Sequence, residues 1–390
     1  MNKKEYPLIL SCLLFLFLFT TGIWLAGHRS LDNDEFFTAV SSIENPSFQQ
    51  MLSGKISEGN NSPLFYVTQK TFWALIGYKI PKPWRSGQWL EDKSAEIFLR
   101  LVPIFCMSLM MTLVFYFFSR FYSILTGFYS LFLSLSSTMV WFYWTQGRPY
   151  ALWMLLTTVQ ALIFLYLTLE KRISSKTWLG LITVNFLLSL TSLFGLIQIG
   201  VVSALLWLFV NRRWQDYIFL TVIPVVICIF YYIQVPKYNW WFSLSPEQLI
   251  RECFSRDRFY ILILYFVFFM LFSLQKKTNA FRLFLDDRLL RGRLYFFMTV
   301  MMVVAACLVL WIFKAFEHRN PNHAGFPVSS RYFAYLTPIG IIASTFFSIE
   351  LIRSFQHKRW MQAVIGLGIG YLVIQRFWKI LPIIKGIYSF

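Results

Sequence analysis

Acidic side chains are scarce in this chain, 18 Asp and Glu among 390 residues, yet three of them fall together in Leu31-Asp32-Asn33-Asp34-Glu35-Phe36-Phe37. Two kinds of chemistry fit such a cluster. One is a solvated helix start, in which Asp32 or Asn33 caps the helix and Asp34 and Glu35 favour its positive end. The other is a catalytic carboxylate held at a membrane surface to accept a proton. Two arginines stand where they complement it. Arg148 lies in Gln146-Gly147-Arg148-Pro149-Tyr150, with no long loop to carry it away from the apolar runs on either side. Arg331 lies in Ser329-Ser330-Arg331-Tyr332, at the start of a late apolar run. An arginine at the end of a span ordinarily anchors by snorkelling. Carboxylates and arginines on one face, however, describe a site that holds a phosphate and deprotonates a hydroxyl.

The elements that must position these residues are membrane helices. Hydrophobic residues make up 57% of the chain and charged residues 14%, where a soluble domain carries about 25% charge. Long apolar runs recur from end to end, so the expected fold class is an all-α polytopic membrane protein. The net charge of +18 suits an anionic membrane surface or a phosphate-bearing substrate. Nucleic acid is excluded as a partner, because the basic residues punctuate apolar spans. The five cysteines give no disulfide framework, since four lie in apolar runs and Cys253 stands alone in a loop.

Asn2-Lys3-Lys4 precedes an apolar run from about Pro7 to Gly27, read as an uncleaved signal anchor with its N-terminus in the cytoplasm. Residues 28–99 then form a long first outer loop. Phe36, Val40 and Ile43 recur at helical spacing and predict an amphipathic helix on the membrane, stopped by Asn45-Pro46. Pro63 to Ile76 predicts a second interfacial helix. Arg100 opens the second span, and the third runs to about Trp141. The turn at Trp144–Tyr150 follows, with Pro149 suited to a helix's first position. Later spans bring the total to about ten or eleven, the last stretch being Met361 to Ile374, with Arg376 and a short tail outside. Basic residues favour the short inner loops, as the positive-inside rule requires. Residues 1–390 read as one membrane domain, without a repeat or a separate soluble domain.

Four segments together resemble the GT-C superfamily of membrane glycosyltransferases, and within it glycosyltransferase family 39, the protein O-mannosyltransferase and aminoarabinose-transferase-like group. Asp34-Glu35-Phe36-Phe37 is similar to the acidic motif of that family's first outer loop. Asn61-Ser62-Pro63-Leu64-Phe65-Tyr66 resembles a later segment of the same loop. Gln146-Gly147-Arg148-Pro149-Tyr150 is similar to the arginine turn after the third span, and Ser330-Arg331-Tyr332 with Pro338 to a late Arg-Tyr signature.

The resemblance implies a GT-C-type bundle and a reaction. A sugar leaves a polyprenyl-phosphate donor and joins a hydroxyl of a lipid, glycan or protein acceptor, in a bacterial inner (plasma) membrane with the site on the outer face. Asp34 takes the place of the general base, and Glu35 orients acceptor or donor beside it. Arg148 and Arg331 take the donor phosphate, for which a fixed fork of donors is suited. Substrate contacts fall to Asn61, Tyr66, Tyr150 and Tyr332. No cofactor is implied. A divalent metal finds no support, because Asn61-Ser62 and Thr191-Ser192 stand where many members carry histidine. Glu317, His318 and His323 are the remaining ligand candidates. Two other classes stay open: a flippase or transporter of lipid-linked sugars, and a non-catalytic binder of them.

Overall fold

The computed structural model describes residues 6–56, 62–88, 91–169, 174–209, 214–234, 242–243, 326–327, 333–354 and 359–388. These residues are helical almost throughout; a two-residue parallel bridge pairs Phe242 with Phe326. In chain order the helices are α1 (Tyr6–Gly27), α2 (Asn33–Phe37), α3 (Phe48–Leu52), α4 (Leu64–Leu75), α5 (Lys82–Arg85), α6 (Lys93–Phe121), α7 (Ile124–Leu135) and α8 (Thr138–Trp144). They continue with α9 (Tyr150–Leu169), α10 (Ser175–Ser189), α11 (Gly195–Phe209), α12 (Trp214–Tyr217), α13 (Ile223–Gln234), α14 (Leu336–Ser354) and α15 (Arg359–Ile387). Among the described residues five helices are long and apolar enough to cross a membrane, or six if the bent pair α7–α8 counts as one span. The chain is therefore an all-α, multi-pass membrane protein. The two spans expected between about residues 258 and 314 lie outside the described residues.

The long helix α6 is the axis of the assembly. Asp92 caps it by accepting from the Ala95 amide at 3.0 Å. It packs against α1, α7 and α9. The α1–α6 crossing is close because Gly22 has no side chain: a Cβ there would lie 2.5 Å from Cγ2 of Ile104.

Three expectations are corrected. The third span is not continuous, since α7 and α8 meet at a 75° bend. Hydropathy reads straight through this stretch. The break falls at Ser136-Ser137, and Ser130 and Ser134 of α7 and Ser136 at its end each bond back to a carbonyl three or four residues earlier. Trp141 Nε1 then donates to the freed carbonyl of Leu135 at 2.6 Å. The first amphipathic helix exists but widens after Phe37 into π-type turns over Thr38–Glu44, and its apolar face turns into the protein rather than onto a membrane surface. Val40 and Ile43 are buried, and Phe36 meets the ring of Trp84 edge-on. Lys70 on α4 closes the far end of this segment, donating to the carbonyls of Ile43, Glu44 and Pro46 at 2.6–2.9 Å. Burial lowers the Lys70 pKa, while neighbouring Glu44 opposes the shift. Finally, α15 does not end near Ile374. It runs through Arg376 to Ile387 and places Tyr388 in the core.

Candidate active site

The acidic cluster folds as a capping box. Asp32 Oδ1 accepts from the Glu35 amide at 2.7 Å, and Glu35 Oε2 accepts from the Asp32 amide at 3.3 Å. The cap expected of Asp32 is thus present. Its other oxygen accepts from Gln146 Nε2 at 3.0 Å, which ties the cluster to the turn between α8 and α9.

Glu35 is buried and its acceptor capacity is full. Arg100 donates to both of its oxygens, at 3.0 and 2.8 Å, and the Gly147 amide donates to Oε1 at 2.6 Å. Arg100 is equally saturated, because its remaining N–H groups reach the carbonyls of Ala26, Arg29 and Ser30 at 2.8–2.9 Å. One residue of α6 therefore gathers the end of α1, the acidic helix and the 147 turn. Gly147 is required there: a Cβ would lie 2.6 Å from Cγ of Leu99, the neighbour of Arg100 on α6.

This scaffold leaves Asp34 on the open side, with its side chain 55% exposed. Arg148 faces it, Nη2 standing 3.8 Å from Oδ2 of Asp34, and Nη1 donates to the Asp34 carbonyl at 3.2 Å and to Thr38 Oγ1 at 2.7 Å. The guanidinium also lies 6.0 Å from the Tyr150 ring. Both side chains border a pocket of about 490 Å³ whose lining is part polar and part apolar. Asp32, Asn33, Asp34, Gln146 and Arg148 form the polar part; Met139, Phe142, Ile383 and Ile387 form the apolar one. Such a cavity suits an amphiphile whose head carries negative charge, with a carboxylate beside it to accept a proton.

Asp34 is thus brought together with Arg148 and Tyr150 from two separate segments of the chain. Tyr66 is elsewhere, buried on the inner face of α4 against Phe65. Asn61, Arg331 and Tyr332 lie outside the described residues, as do Glu317, His318 and His323. Among the described residues no group of three His, Cys, Asp or Glu side chains is placed to hold a metal ion. The start of α4 and the residues preceding Thr191 do adjoin, because the Leu64 amide donates to the Leu190 carbonyl at 2.8 Å.

Three contributors are not apparent from the sequence. Arg100 reads as the opening of a span, yet Asp92 and Lys93 start the helix earlier and leave Arg100 inside it; Glu96 one turn back was the visible signal. Ile383 and Ile387 carry no signal, since nothing local distinguishes them from lipid-facing isoleucines. Comparison with protein-family models, curated proteins and solved structures yields no match for this chain.

Proposed function

We propose that this protein is a membrane glycosyltransferase that moves a sugar from a polyprenyl-phosphate donor to an acceptor hydroxyl on the non-cytoplasmic face. The reading is supported by one juxtaposition above all: the Asp34 carboxylate and the Arg148 guanidinium, 3.8 Å apart, in the lining of a part polar, part apolar pocket. Asp34 accepts the hydroxyl proton as the acceptor oxygen attacks the anomeric carbon. The bond from that carbon to the donor phosphate breaks, and the electron pair leaves with the phosphate. Arg148 stabilises the charge that grows there, as a guanidinium fork does for any phosphate leaving group. General-base assistance of this kind contributes about 10²–10⁴-fold in rate. Glu35, saturated by Arg100 and Gly147, acts by fixing the helix that carries Asp34.

A carrier of lipid-linked sugars is the second reading. It is favoured by amides buried within the spans, where Gln160 donates to Asn185 at 2.8 Å and Gln198 to Thr157 at 2.7 Å. The experiment that separates the two is transfer from a polyprenyl-phosphate sugar in proteoliposomes, with donor binding measured alongside. Loss of transfer with retained donor binding in Asp34→Asn supports the transferase. Wild-type transfer in that variant removes Asp34 from the chemistry and this reading with it.

A further inference from the structure

The pocket's apolar wall is unusual in its origin. Ile383 and Ile387 belong to α15, a 29-residue helix that is exposed along most of its length, only 6% of its most apolar stretch being buried inside the protein. Its last two turns dock through Ile380, Ile384 and Tyr388, each buried and spaced four residues apart on one face. The adjoining face presents Ile383 and Ile387 to the pocket. Pro382 interrupts the helix's own hydrogen-bond ladder at the start of this docked end.

Docking is fixed by a polar latch. The Tyr388 hydroxyl donates to the carbonyl of Trp141 at 2.8 Å and lies 3.1 Å from Thr145 Oγ1. Trp141 and Thr145 belong to the last turn and C-cap of α8, whose terminal carbonyls have no partners within the helix. Arg29 takes another of them, donating to Phe142 at 2.6 Å. Burial raises the Tyr388 pKa, so the hydroxyl keeps the proton it donates. The next residues along the chain are Gln146, Gly147 and Arg148, and the latch therefore acts on both parts of the lining at once.

We propose that the C-terminal helix α15 is the specificity wall of this site: Ile383 and Ile387 select the isoprenoid part of an anionic lipid, and Tyr388 is the positioning residue that holds the wall in place. This rests on the transferase reading only for the identity of the lipid. The occupant is argued from the pocket itself. The same cavity is lined by an arginine and by two isoleucines of an apolar helix that is largely exposed on the protein surface, so the tail of a membrane-embedded anionic lipid reaches it without crossing water.

The test uses the full-length protein in detergent and three probes: undecaprenyl phosphate, farnesyl phosphate and inorganic phosphate. Ile387→Trp and Ile383→Trp narrow the apolar half, and each is expected to weaken undecaprenyl phosphate binding tenfold or more while inorganic phosphate is unaffected. Ile387→Ala widens it and is expected to reduce the discrimination between long and short tails. Tyr388→Phe keeps the ring and removes the latch, and is expected to diminish the same discrimination with the melting temperature nearly unchanged. Wild-type affinities and tail preference in both tryptophan variants, with binding lost in Arg148→Ala, overturn the role of α15 and leave the transferase reading standing. If the wild-type protein binds neither isoprenyl phosphate, the transferase reading falls first and the wall's role with it.

Discussion

Arg100 grips Glu35 at two points, Nε to Oε1 at 3.0 Å and Nη2 to Oε2 at 2.8 Å, with both side chains fully removed from solvent. A buried pair of this kind is weak evidence for net stability, but breaking it is costly because one charge is left unpaired. Glu35→Gln or Arg100→Leu is expected to destabilise the protein by about 3–5 kcal/mol. Thermal unfolding in detergent checks this, and the double variant Glu35→Leu with Arg100→Leu is expected to recover part of the loss. If Glu35→Gln melts like the wild type while transfer disappears, Glu35 belongs to the chemistry and not to the scaffold.

Asp34 and Asp32 are two residues apart and give opposite predictions. Asp34→Asn is expected to abolish transfer with a stability change within about 0.5 kcal/mol, because its side chain is 55% exposed. Asp32→Asn retains the cap but sets an amide nitrogen against Gln146 Nε2. It is expected to cost about 1 kcal/mol and to leave measurable transfer. Parallel rate and melting measurements on the two variants decide the assignment.

Arg148 serves the donor phosphate in the proposed reaction. Removing it in Arg148→Ala is expected to lower transfer on the order of a hundredfold or more, and Arg148→Lys to restore only part, since a point charge replaces a fork. Donor titrations of kcat and KM measure this. Full activity in Arg148→Ala would return the residue to its hydrogen bond with Thr38 and a purely structural role.

Gly147 tests how tightly the turn is wedged. A methyl group in Gly147→Ala meets Leu99 Cγ at 2.6 Å, and overpacking there is expected to cost about 1–3 kcal/mol. The amide that donates to Glu35 must shift as well. Pairing Gly147→Ala with Leu99→Ala relieves the contact; a double variant no more stable than the single one would locate the strain elsewhere.

What was legible in the sequence was whatever depends on a continuous run of like residues. The apolar stretch from Pro7 to Gly27 predicts α1 almost to its observed ends, and Leu190–Gly195 marks the short connection between α10 and α11. The Asp32 cap and the Arg148 turn were also readable, because both use local spacing. The bend between α7 and α8 was not, since serines bonding to their own helix leave hydropathy unchanged. The anchoring role of Arg100 was hidden for a different reason: its partners lie 65 to 74 residues away along the chain, and a buried arginine reads from sequence like one at a span's edge. The Tyr388 latch reaches residues 243 and 247 positions earlier, a distance no local pattern encodes.

That reach has a consequence for how the protein is made. Asp34 and Arg148 leave the ribosome early and can meet once α6, α8 and α9 have inserted, because chains fold N-terminal parts first during synthesis. The pocket still lacks a wall at that moment, and only the arrival of α15 supplies Ile383, Ile387 and the Tyr388 hydroxyl. Asp34 and Arg148 are thus brought together before the pocket beside them is closed. A nascent chain carries the Asp34–Arg148 pair while lacking the enclosure, and under the proposed function lipid binding is a readout of completed membrane insertion.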